Sequence, residues 1–181
     1  MNRKGIFLGL MILSIFTANG LFAFDLWEGL DTNMTMDQLL TKAREVFKVQ
    51  RPPVQETGSI PPIEDDDLKN RFPQSLTKVG LASTLPNLGA IEFAGYPVTN
   101  VDLYLSNNRL FAIWVSWNFP TKPLTTSAEL LAMVTKQYGK PREVTKERAN
   151  FRFAYYLWET SEKIIYCQGG IMLVINKQML R

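Results

Sequence analysis

The strongest constraint on the fold is a regular alternation of apolar and polar residues in the middle of the chain. Residues 98–106 alternate in this way. After a short polar interruption, residues 110–119 have one face that is apolar throughout and a second face that turns polar only at Ser116 and Asn118. A period of two is typical of a strand with one buried face. The interruption is Asn107-Asn108, and asparagine tolerates the positive φ of a tight turn. The sequence therefore predicts an antiparallel β-hairpin here.

Two helices are predicted from capping boxes, in which a threonine and a glutamine or glutamate each satisfy a free backbone donor. The box at residues 35–38 predicts a helix over residues 36–49. The box at residues 126–129 predicts a helix over residues 127–138, and the glycine and proline that follow it are typical of a helix end.

Both helices carry the pattern Thr-x-x-(Gln/Glu)-Leu-Leu, which starts at Thr35 and again at Thr126, and a series of predicted strands follows each helix. The sequence thus predicts an α+β fold of two tandem helix-plus-antiparallel-sheet (αβββ) units. The units share a sheet or pack together. The first spans residues 24–120 and the second residues 121–181.

A proline-rich and acidic stretch interrupts the first unit. Residues 50–73 hold five prolines and the acidic run 64–67. We interpret this stretch as a long loop or mobile linker with a short helical turn near residues 66–71. The acidic run is interpreted as a solvated surface, since the alternating oxygen ligands of a calcium loop are absent.

The first 23 residues have the three parts of a secretory signal peptide. Arg3 and Lys4 precede the uncharged apolar run 5–16, and small residues allow cleavage after Gly20 or Ala23. The apolar run is shorter than the about 20 residues of a membrane-spanning helix. We therefore predict a bacterial protein that is periplasmic or secreted, with no stable membrane span after cleavage. The alternatives are a retained N-terminal anchor and a buried helix.

Composition excludes several classes of function. Signal cleavage removes Arg3 and Lys4, which leaves 18 of the 20 basic residues against 17 acidic ones, so no nucleic acid is expected as a partner. Cys167 is the single cysteine, which rules out an internal disulfide and a lipid anchor at the cleavage point, and we expect it to be buried. The chain has no histidine, the commonest general base and metal ligand. We predict no enzyme activity, no cofactor and no metal site.

Short motifs at the start of both predicted units carry a family resemblance. The segments Trp27-Glu-Gly-Leu30, Met34-Thr-Met-Asp-Gln38 and Tyr138-Gly-Lys-Pro141 resemble the small-protein-A (BamE-like) modules of bacterial envelopes. The tandem arrangement is similar to that of beta-lactamase inhibitor proteins. Such modules are non-catalytic and bind other proteins, so the resemblance implies a binding role without naming the partner.

The predicted strands place four residues that are typical of binding surfaces on their second faces. These candidate binding residues are Trp114, Arg152, Tyr156 and Trp158. The alternative is that the helices or the other unit cover this face.

From the sequence we expect an exported, non-enzymatic binding module that contacts a protein partner or the cell envelope. A small-ligand or peptide-binding module of the periplasm is the second candidate. A hydrolase built on paired carboxylates is the third, and its candidates are Asp102, Glu143, Glu147, Glu159 and Glu162.

Overall fold

The computed structural model describes residues 29–31, 34–47, 54–81, 91–93, 96–116, 123–148 and 151–181. The predicted signal peptide and the predicted boundary at residues 120 and 121 lie outside this part of the chain. Among the described residues, no helix has the length and apolar character that a membrane crossing requires.

The described part is built around one antiparallel sheet. In chain order the strands are β1 (Val54–Thr57), β2 (Thr77–Gly80), β3 (Ile91–Phe93), β4 (Tyr96–Val98), β5 (Asn100–Ser106), β6 (Arg109–Ser116), β7 (Arg142–Arg148), β8 (Phe151–Glu159), β9 (Lys163–Gln168) and β10 (Ile171–Asn176). Eight of them form a sheet of order β1-β2-β5-β6-β10-β9-β8-β7, and β3 pairs with β4 separately. Asn107 and Asn108 have φ of 50° and 59°, which confirms the predicted turn between β5 and β6.

The helices are α1 (Met36–Val46), α2 (Asp66–Asn70) and α3 (Pro123–Tyr138). The first predicted capping box is confirmed, because the Thr35 amide donates to Gln38 Oε1 at 2.9 Å and the Gln38 amide donates to Thr35 Oγ1 at 3.3 Å. The second is wrong. Helix α3 begins at Pro123, a residue type favoured in a first helical turn, so Thr126 lies inside the helix.

The prediction of two tandem αβββ units is also wrong. The two halves of the chain form one continuous sheet, in which β6 pairs with β10 along Ala112 to Ser116. The physical reason is that both strands are buried on both faces. Such strands need a covering layer on each side and a strand at each edge, and they obtain these only in the middle of a shared sheet.

One face of the sheet packs against α1 and α3. We call its buried residues the helix-side cluster. It includes Leu39 from α1, Phe47 from the C-terminal cap of α1, Leu130 and Val134 from α3, and Leu103, Val115, Trp158, Ile165 and Val174 from the sheet. These strands come from both halves of the chain, so neither half has a core of its own.

The opposite face packs against residues 60–76, which we call the covering segment. Its buried side chains Ile63, Leu68, Phe72 and Leu76 contact the segment-side cluster of the sheet, which includes Tyr104, Phe111, Trp114, Tyr155, Leu157, Tyr166 and Leu173. Of the two interpretations of residues 50–73, a long loop or a mobile linker, the mobile linker is wrong for the described residues from Val54 on, because they form β1 and α2 and pack on the sheet. The short helical turn is confirmed as α2.

Cys167 is buried in the helix-side cluster, which confirms the expectation from the sequence. Its apolar surroundings remove solvation from the thiolate and raise the pKa of the thiol well above its ordinary value.

A buried carboxylate, Asp102, lies on the face that carries the segment-side cluster. It is 7% exposed and stands opposite Trp114 in the register of β5 and β6. Burial raises its pKa, and the charge of Lys78 offsets only part of that effect. Between the ordinary pKa of 3.8 and the raised value, the folded state holds more protons than the unfolded state, so stability falls as pH rises through that window.

We therefore expect Asp102→Asn to increase the free energy of unfolding at pH 7 and to change it little at pH 3. Urea denaturation at the two pH values measures both effects. A less stable Asp102→Asn variant at pH 7 would contradict the expectation, because it would mean that the attraction to Lys78 outweighs the cost of burial.

Candidate binding site at one corner of the sheet

The four candidate residues do not form a single surface. Trp114 is 7% exposed and belongs to the segment-side cluster, whereas Trp158 is 3% exposed and belongs to the helix-side cluster. The two tryptophans therefore lie on opposite faces of the sheet. The Trp158 indole Nε1 donates a hydrogen bond to the carbonyl oxygen of Gly139 at 2.8 Å.

The other two candidates lie on β8 with Trp158. Tyr156 is partly buried against the helix-side cluster, and Arg152 is exposed opposite Glu147 of β7. Strand alternation puts Arg152, Tyr156 and Trp158 on one side of β8 and separates them from Trp114. The burial of both tryptophans agrees with the alternative in which the second faces of these strands are covered.

A pocket of about 320 Å³ opens at the end of the sheet where α3, β7, β8 and the covering segment meet. We call it the corner pocket. It is lined by Asp65, Asp67, Leu68, Arg71, Tyr138, Lys140, Arg142, Leu157, Trp158, Glu159 and Ile164. The four residues Leu68, Leu157, Trp158 and Ile164 are buried and give it an apolar floor, while charged side chains form its rim.

The end of α3 positions one side of the rim. Gly139 has φ of 78°, a conformation that glycine adopts without strain, and its amide closes the helix by donating to the Thr135 carbonyl at 2.9 Å. Its own carbonyl accepts the Trp158 indole. This fixed helix end directs the chain through Lys140 into β7.

The covering segment positions the other side of the rim. Asp65 is 6% exposed and caps α2, because its Oδ1 accepts the Leu68 amide at 2.9 Å. Its Oδ2 lies 3.9 Å from Arg142 Nη2. One turn later, α2 ends at Asn70, and the carbonyl of its C-terminal cap, Arg71, accepts the amide of Arg181 at 2.9 Å. Both ends of α2 are thus tied to other parts of the chain.

Lys146 of β7 ties the acidic run to the sheet. Its ammonium group donates to the Glu64 carbonyl, lies 3.4 Å from Asp66 Oδ2 and stands 5.9 Å from the centre of the Tyr155 ring. The Glu64 amide donates to the Tyr166 hydroxyl at 3.2 Å. The interpretation of the whole acidic run as solvated surface is therefore wrong at Asp65, while Asp66 and Asp67 are exposed.

The surroundings of the pocket shift the pKa values of two ionisable groups, Tyr155 and Glu159. Burial, together with the charge of Asp65 and a hydrogen bond to it, raises the pKa of Tyr155 to about 12. A hydrogen bond from Lys177, whose Nζ lies 2.7 Å from Glu159 Oε1, lowers the pKa of Glu159, and the charges of Arg71 and Arg142 act in the same direction. Glu159 is therefore held as a carboxylate.

Two rim cations have no acidic partner among the described residues. Asp65 lies beside Arg142 and Glu159 beside Lys177, whereas neither Arg71 nor Lys140 forms an ion pair there. Asp67 is the remaining exposed carboxylate of the rim. The arrangement offers two donors for an anionic group, one acceptor for an N–H group and an apolar floor beneath them.

Sequence reasoning missed Asp65 and Arg71 because it interpreted the acidic run as solvated surface in a loop, and it missed Lys140 and Arg142 because only the fold brings them to that segment. A usable signal was present. Leu68, Phe72 and Leu76 recur every four residues, which is typical of a segment with one buried side.

Other groupings in the described part offer less chemistry. No cluster of three or more acidic or cysteine side chains there is arranged to hold a metal ion. A shallow groove runs along α1 and is lined by Asp31, Met34, Asp37, Gln38, Thr41, Lys42 and Glu45. Its single cation, Lys42, already contacts Glu45 at 3.2 Å.

Comparison with known proteins gives no relative: no family model, curated protein or solved structure matches this chain. The resemblance to BamE-like modules and beta-lactamase inhibitor proteins stays a prediction.

Proposed function

We propose that the protein is an exported, non-enzymatic binding module, and that its corner pocket takes a carboxylate-bearing apolar group of a protein partner. Export rests on the N-terminal sequence pattern. The observation that carries the binding role is that Arg71 and Lys140, above an apolar floor, form no ion pair with any acidic residue in the described part of the chain. Arg71 is partly buried and Lys140 is exposed, and cations at the edge of an apolar surface favour an anion that brings its own apolar group.

The rim also suits the rest of such a ligand. At the end of a peptide, an amide lies next to the carboxylate, and its N–H group can donate a hydrogen bond to Asp67. The pocket volume of about 320 Å³ lies at the small end of the roughly 300–1,000 Å³ of ligand pockets. A pocket of that size fits one amino-acid residue of a partner. It also fits a small free carboxylate, which is the second candidate ligand.

A hydrolase is supported less well by the same residues. A general acid near neutral pH needs a raised pKa, whereas Lys177 lowers the pKa of Glu159. Asp65 is occupied by the Leu68 amide. Two of the three pocket carboxylates thus have structural partners.

A titration with N-acetyl-leucine, followed by amide and indole NMR signals, tests the proposed site. We expect the largest shifts in residues 139–142 and 157–159 and in the Trp158 indole N–H, because they surround the pocket. Shifts concentrated along residues 34–45 would place binding in the groove on α1 and contradict the proposal. The absence of any shift at millimolar probe would contradict it as well.

A further inference from the structure

The strand β7 is an edge of the sheet and runs directly from the corner pocket. It pairs with β8 on one side, and the described residues place no strand on its other side. It is seven residues long, whereas the opposite edge strand β1 has four. Because an edge strand leaves backbone donors and acceptors open, it can receive an added strand.

The charges of β7 are sorted by face. Val144 packs against the segment-side cluster, so Arg142 and Lys146 lie on that same side. Glu143 and Glu147 alternate with them and lie on the other side. The edge therefore carries a basic row on one face and an acidic row on the other.

This sorting disfavours a second copy of the chain as the added strand. Two antiparallel copies of β7 would be related by a two-fold axis perpendicular to the sheet, which keeps each face on its own side. Every register would then set the basic row beside the basic row and the acidic row beside the acidic row. Like charges on neighbouring strands are destabilising.

The direction of an antiparallel partner connects β7 to the pocket. Such a strand runs opposite to β7, so its carboxyl end lies beside Arg142, where β7 begins. Arg142 is also a rim residue of the corner pocket, next to Lys140. A partner that ends at this point brings its terminal carboxylate and last side chain to the pocket.

We propose that β7 binds the carboxyl-terminal segment of a partner protein as an added antiparallel strand. Its basic residues face Glu143 and Glu147, its acidic residues face Arg142 and Lys146, and its apolar last residue enters the corner pocket. This inference rests on the proposed function and names its partner class. Lys146 already contacts Asp66 and the Glu64 carbonyl, so it is less available to a partner strand. We therefore expect Glu143 and Glu147 to contribute more than the basic row to the choice of partner sequence.

Two peptides of identical composition test the charge pattern. The matched peptide is Glu-Lys-Glu-Thr-Val-Lys-Leu and the inverted peptide is Lys-Glu-Lys-Thr-Val-Glu-Leu, each with a free carboxylate and an N-terminal fluorophore. We expect the matched peptide to bind the purified protein about tenfold more tightly by fluorescence anisotropy, since the inverted one puts like charges opposite each other. Its binding should also slow amide hydrogen exchange in residues 142–148.

A charge-reversed edge provides the decisive control. Glu143 and Glu147 are exposed, so the double variant Glu143→Lys/Glu147→Lys should fold normally, which circular dichroism checks. It should lose the preference for the matched peptide, because the variant carries basic residues on both faces of β7. An unchanged preference, or equal affinity of the wild-type protein for both peptides, would overturn the inference.

The outcomes separate this inference from the proposed function. Equal binding of both peptides, weakened only by amidation of the carboxylate, would leave the pocket assignment standing and reject the added strand. A charge-dependent preference without any effect of amidation would support the added strand and reject the pocket as the carboxylate site.

Discussion

Replacing Trp158 with alanine is expected to lower the free energy of unfolding by about 3–5 kcal/mol, the range for removal of a buried aromatic side chain. The side chain is 3% exposed in the helix-side cluster, and its indole holds the end of α3 through the Gly139 carbonyl. The melting temperature of a chain of this size should fall by roughly 6–20 °C. Urea denaturation and thermal melting measure both quantities.

Trp114→Ala is expected to have a similar cost on the opposite face, and Arg152→Ala serves as the matched control on β8. Arg152 is exposed, so its loss should change stability by less than about 0.5 kcal/mol. If both tryptophan variants kept wild-type stability, the tryptophans would be available for surface contacts and the described packing would be wrong.

Replacing Phe72 with alanine is expected to cost about 3–5 kcal/mol as well, because it opens the layer that covers the second face. Phe72 is 5% exposed, and its ring meets the Phe111 ring edge to face with 5.2 Å between centroids. Amide hydrogen exchange should accelerate most in residues 60–76, where the covering segment loses its central contact. Mass spectrometry of exchanged peptides reports this directly.

Ile60→Ala is the matched control inside the covering segment. Ile60 is 56% exposed, so removal of its side chain should change stability by less than about 0.5 kcal/mol. If Phe72→Ala had no larger effect than Ile60→Ala, the covering segment would be an appended loop, and the corner pocket would lose one of its walls.

Local features of this fold could be predicted from the sequence because neighbouring residues determine them. The start of α1 follows from the Thr35 capping box, and the β5–β6 turn follows from Asn107 and Asn108. The sequence predicts the last four strands over residues 142–147, 151–159, 163–168 and 171–176, and β7 to β10 match these segments within one residue. Each of these depends on periodicity or turn chemistry over fewer than about ten residues.

The global arrangement could not be predicted in the same way. The central pairing of β6 with β10 joins residues that are far apart along the chain, and no local pattern encodes it. Lys146 meets the Glu64 carbonyl across 82 residues of sequence. The repeated Thr-x-x-(Gln/Glu)-Leu-Leu motif indicated two units, yet the doubly buried central strands required one sheet.

The candidate site was even harder to predict from the sequence, because no local sequence pattern distinguishes its residues from other core or surface residues. The sequence makes Trp158 a candidate binding residue but leaves its exposure open, and in the fold it is buried and contributes to the floor of the pocket. Arg71 and Lys140 are distinctive only because they form no ion pair among the described residues, which is a property of the fold. They are available to a ligand because Asp65 pairs with Arg142 and Glu159 pairs with Lys177.

The central claim is that Arg71 and Lys140 receive a carboxylate in the corner pocket. The most direct measurement compares N-acetyl-leucine with N-acetyl-leucinamide for the wild-type protein, for Arg71→Gln/Lys140→Gln and for the control Arg152→Gln. We expect the wild type and the control to prefer the acid by about tenfold, and the double variant to bind both probes equally. A preference for the acid that survives in Arg71→Gln/Lys140→Gln, or a wild-type protein that does not distinguish the two probes, would contradict the claim.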